Sequence, residues 1–139
     1  MMPRSSRGLN LVRIASLYML AGLVLGMVMA VRQDFSLVSV HSHIGLLGWA
    51  AMAITGLAYL ALPKCSQSRL ATIHFWLHNI GVPLLLCSLA FMVLSGNTGV
   101  EPLIGLGGFL IIAGIVAFTI NVFVNGRAAE EEKHASIGA

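Results

Sequence analysis

The stretch HSHIGLLGWAAMAITGLAYLALP, residues 41–63, decides the fold. After its opening histidines it runs apolar for about 20 residues, the length a helix needs to cross a bilayer. It is continuous rather than alternating, which argues for a helix over a barrel strand. In lipid a helix also satisfies its own backbone polar groups. The question it raises is chemical: His41 and His43 stand at the mouth of an otherwise greasy segment, and HFWLHNIG places His74 and His78 in another.

Working outward, three further apolar runs appear. The four cover about 12–31, 38–62, 71–94 and 103–124, by the span length that a bilayer demands. Turn-forming stretches separate them: RQDFS, PKCSQSR and SGNTGVEP. The 139 residues are 58% hydrophobic and 9% charged, where a soluble domain carries roughly a quarter charged. The reading is a single all-α membrane domain, residues 1–139, with four transmembrane helices and a mobile, solvated tail over 126–139. Arg4, Arg7 and Arg13 before an apolar run, with VMA at 28–30, also resemble a signal peptide; the run is longer than a usual signal core.

Charge sets the expected orientation. With the N-terminus inside, the cytoplasmic stretches hold Arg4, Arg7, Arg13, Lys64, Arg69, Arg127 and Lys133, and the other side only Arg32. Both termini are then cytoplasmic. The basic residues form no run interleaved with aromatics, so nucleic acid is not an expected partner. Asp34, Glu101 and Glu130–Glu132 lie outside the apolar runs with no nucleophile–base pairing, which argues against a hydrolase. Cys65 falls in a loop and Cys87 deep in the third run, so they are not expected to pair. No C-x-x-C-H is present for covalent haem attachment.

On a helical wheel, His41 shares a face with Gly45, Gly48, Met52, Thr55, Gly56 and Tyr59, and His43 with Leu46, Leu47, Ala50, Ile54 and Leu57. The first face is small and polar and should point inward. Gly22, Gly26 and Ala30 form a small-x-x-x-small run, a packing seam within or between subunits. Ionisable groups inside a membrane are costly and mark function by default. Four imidazoles therefore point to a bound metal or haem. His41 and His78 differ in height by roughly 15 Å at 1.5 Å per residue, too far to clasp one iron. His74 and His78, at i, i+4, share a face and can grip one ion. Alternatively they bond the 63–70 loop or a haem propionate. His43 is equally readable as a subunit contact or an interfacial residue.

HSHIGLLGW, with Tyr59 and Pro63 at its far end, resembles the second helix of catalytic subunits of the haem–copper oxidase superfamily, nearest to cbb3-type oxidases and bacterial nitric oxide reductases. HFWLHNIGVP is similar to their third helix. The resemblance implies a short cytochrome c oxidase subunit I-like protein of a bacterial inner membrane. It implies haem b, with His41 as an axial ligand of the iron; Ser42 and His43 take the positions of Thr and Asn in the family's motif. The family's helices with the oxygen- or nitric oxide-reducing site have no counterpart here, so reductase activity is not implied. His43, His74 and His78 remain further candidates for cofactor or metal ligation. One or two haems per chain, or haem shared between copies of a homo-oligomer, would suit electron transfer or gas or haem sensing beside a respiratory redox partner. The competing readings are a copper- or zinc-binding membrane protein and a structural or assembly subunit of a respiratory complex.

Overall fold

The computed structural model describes residues 6–137, with side chains over 7–126. Helix α1 spans Ser6–Arg32 and α2 spans Val38–Ala61. A short helix, α3, follows at Pro63–Gln67, then α4 at Arg69–Ser95, a 3₁₀ turn at Thr98–Val100, and α5 at Glu101–Ile137. No strand occurs among the described residues. Four of these helices are long and apolar enough to cross a membrane, so this is a multi-pass membrane protein. The backbone of α5 stays helical into the expected tail; its side chains beyond Gly126, and Arg4 at the other end, lie outside the described residues.

Local chemistry sets the breaks. Ser68 caps α4, its hydroxyl accepting from Ala71 N at 3.0 Å. Gly96 ends α4 in the left-handed region at φ 70°, a conformation glycine takes without strain. Pro63 opens α3, where its missing N–H costs nothing. Between α1 and α2, Asp34 Oδ1 accepts from Ser36 N at 3.0 Å, which holds its carboxyl below the usual range. Within α2, residues Ile44–Ala51 form a π-helical stretch between α-helical Val38–His43 and Met52–Ala61.

The four spans pack as two hairpins, α1 on α2 and α4 on α5. Only 17% and 22% of the apolar windows of the first and fourth spans are buried, against 39% in the second and third. The middle helices therefore form the core and the outer two face lipid. Backbone meets backbone inside each hairpin: a Cβ at Gly8 would stand 2.7 Å from Gly56 O, and one at Gly107 would stand 2.9 Å from Gly81 O. The small-residue seam of α1 is used within the chain, with Gly22 against Ile44 and Gly26 against His41. On α2 most of the inward face is as the wheel predicts: Gly48, Met52, Thr55, Gly56 and Tyr59 are buried, while Leu46, Ile54 and Leu57 face out; Gly45, expected inward, meets no neighbour within 4 Å of a Cβ.

Between the hairpins runs a seam of rings. Tyr59, His74 and Phe118 sit edge-to-face or tilted with centroids 5.3–5.6 Å apart. Near the α3 end, polar ties replace rings. Asn121, fully buried on α5, donates to Cys65 O at 2.9 Å and accepts from Ser68 Oγ at 2.8 Å. Arg7 of α1 reaches across to donate to Ser66 O and to Thr72 Oγ1. Both cysteines are free, and Cys65 is fully buried, which pushes its thiol pKa up and keeps it protonated. A water-soluble maleimide added to the folded protein should leave Cys65 unmodified and label it once detergent unfolds the chain; equal rates in both states would contradict this packing.

Candidate functional site

Four histidines carried the sequence reading, and the structure places them in two groups. His41 and His43 lie in the first turns of α2, just after the loop that joins it to α1. His74 and His78 lie one turn apart on α4, inside the bundle.

His74 and His78 are both 0% exposed. Their ring centroids are 5.4 Å apart with planes at 71°. Each ring is held by one nitrogen. His78 Nε2 bonds Leu47 O at 3.1 Å, and His74 Nδ1 bonds Tyr59 OH at 3.1 Å. A carbonyl only accepts, so His78 carries its proton on Nε2 and presents a bare lone pair at Nδ1. That carbonyl belongs to the π-helical stretch, whose wider turns depart from the i→i−4 pattern and recur at functional sites. The other nitrogen of each ring, His74 Nε2 and His78 Nδ1, is buried with no hydrogen-bond partner. An unpaired buried polar atom costs about 1–3 kcal/mol, so a chain that keeps two side by side carries a real penalty. The loop at 63–70, an expected partner, is bonded instead by Asn121 and Arg7.

His41 is half-buried and turned inward, as the wheel predicts. Its ring lies against α1 where Gly26 leaves room: a Cβ there would stand 3.0 Å from His41 Cε1. Its Nδ1 is likewise buried and unpartnered. One turn further on, Gly45 faces open space, with nothing within 4 Å of where a Cβ would be. His43 points elsewhere and bonds Ser39 O at 2.7 Å. His78 meets α2 at Leu47, about 9 Å along the helix from His41 at 1.5 Å per residue. The two groups are thus distinct sites.

The three orphaned imidazole nitrogens are the only buried side-chain nitrogens or oxygens without a partner among the described residues. No group of three or more His, Cys, Asp or Glu gathers among them. Sequence reasoning missed Asn121 and the roles of Arg7 and Leu47 O. An asparagine in an apolar run was the available signal for the first; a backbone carbonyl gives none. No family model, curated protein or solved structure matches the chain. The likeness to haem–copper oxidase subunits, over roughly residues 10–125, therefore rests on the motifs at 41–63 and 74–83, to which the first and fourth helices add little.

Proposed function

We propose that this is a haem b-binding protein of the bacterial inner membrane, its termini cytoplasmic, acting in electron transfer or gas sensing with His41 as an axial ligand. The observation that supports it is the buried, unpartnered Nδ1 of His41, whose ring packs against Gly26 of α1. An imidazole in an apolar wall with a free nitrogen is the donor type that haem iron takes. The bundle interior does not suit a macrocycle: α4 and α5 touch through Gly81 and Gly107, and Gly114 packs on the backbone of His74 and His78.

Haem b would supply a one-electron couple and a gas-binding iron. The residues here define what the chain contributes. Gly26 fixes the His41 ring by leaving room for it on α1, and Gly45, one turn on, leaves its side of α2 uncovered. A second copy of the chain would bring His43 or another His41 as the second ligand.

The test is an absorption spectrum of protein purified from haem-replete cells. Wild type should show a Soret band with one or fewer haems per chain, and His41→Ala should lose it while His74→Ala keeps it. A colourless wild type that also stays colourless after reconstitution overturns the proposal.

A further inference from the structure

We propose that His74 and His78 hold a monovalent copper ion inside the bundle, a site separate from His41 and independent of the haem reading. Both rings are 0% exposed, and each offers a nitrogen with no partner in the protein. Ligating histidines characteristically donate their other N–H to a carbonyl, hydroxyl or carboxylate, which fixes the ring and bares the ligand lone pair. His78 does this to Leu47 O, and His74 does it to Tyr59 OH when Nδ1 carries the proton. The orphan atoms are therefore the ligand atoms.

Spacing agrees. With metal–nitrogen bonds of about 2.0 Å, ring centres lie about 3.1 Å from the ion, so two rings subtending about 120° stand about 5.4 Å apart. The observed separation is 5.4 Å. A linear pair would need about 6.2 Å on the same bond lengths, so the angle leaves room for a third donor. The fully buried thioether of Met52 is on α2 between Leu47 and Tyr59, the two residues that anchor the rings. A thioether with two imidazoles is a soft, low-coordinate set.

Charge selects the oxidation state. Asp34 and Glu101, the acids whose side chains are described, lie in the loops or at the start of α5, so no carboxylate neutralises an ion at the pair. Born cost scales with the square of charge, so a divalent ion held by neutral ligands costs about four times what a monovalent one does. Zinc also wants four ligands, and no group of three His, Cys, Asp or Glu exists among the described residues. Copper(I) meets both conditions.

The experiment titrates the full chain in micelles, anaerobically, with copper(I) against a chromophoric copper(I) chelator. Wild type should retain one ion per chain, and His41→Ala should retain it equally. His74→Gln and His78→Gln should each weaken binding about 100-fold. As a variant that keeps an apolar core, Met52→Leu should weaken it about tenfold and remove a sulfur neighbour from the copper X-ray absorption spectrum. Failure of wild type to bind copper(I), equal binding of zinc, or unchanged affinity in folded Met52→Leu with no sulfur at the copper overturns the site. A bound copper ion with no haem would leave this inference standing and defeat the haem proposal; haem without copper would do the reverse.

Discussion

Gly107→Leu should unfold the α4–α5 hairpin, lowering stability by about 3 kcal/mol or more, the upper end for overpacking. The reason is what the new side chain would meet. A Cβ at Gly107 stands 2.7 Å from Leu85 N and 2.9 Å from Gly81 O, both backbone atoms that no rotamer change can move. The helices would have to separate, and in lipid, where close packing drives helix association, that surrenders the contact itself. Gly105 on the same helix is the control. A Cβ there meets nothing within 4 Å, so Gly105→Leu should change stability by no more than about 0.5 kcal/mol. Unfolding of both variants by denaturing detergent, followed by circular dichroism, measures the difference. Equal stability would mean that α4 and α5 do not meet at this crossing.

Asn121→Leu should cost about 1.5–4.5 kcal/mol, since it removes three hydrogen bonds at about 0.5–1.5 kcal/mol each. Asn121 is 0% exposed and smaller than leucine, so no cavity is made. What goes is the donor to Cys65 O and the acceptor for Ser68 Oγ, which together hold α3 and the start of α4 against α5. Asn125 loses its partner as well, since its amide donates to Asn121 Oδ1 at 2.7 Å. The same detergent titration reads the loss. Exposure of the Cys65 thiol in the otherwise folded variant would show that the damage is local to α3.

Much of this was legible from residue order. The spans follow from run length, and the inward face of α2 follows from 3.6-residue periodicity, because both are local properties. His41 and His43 separate correctly for the same reason. What was not legible lies across the chain. His78 finds Leu47 O and His74 finds Tyr59, pairings made only when two hairpins meet. Gly107 was visible as a glycine, but its strict opposition to Gly81 depends on where α4 and α5 cross. The π-helical stretch has no sequence signature, since its residues would suit an ordinary helix equally well.

That stretch has a mechanical consequence. Each wide turn in Ile44–Ala51 retards the angular phase of α2, so the end bearing His41 is indexed separately from the end bearing Tyr59. One rod thereby serves two gauges: its upper teeth mesh with α1 through Gly26, and its lower teeth mesh with α1 through Gly56 and with α4 through the phenol of Tyr59.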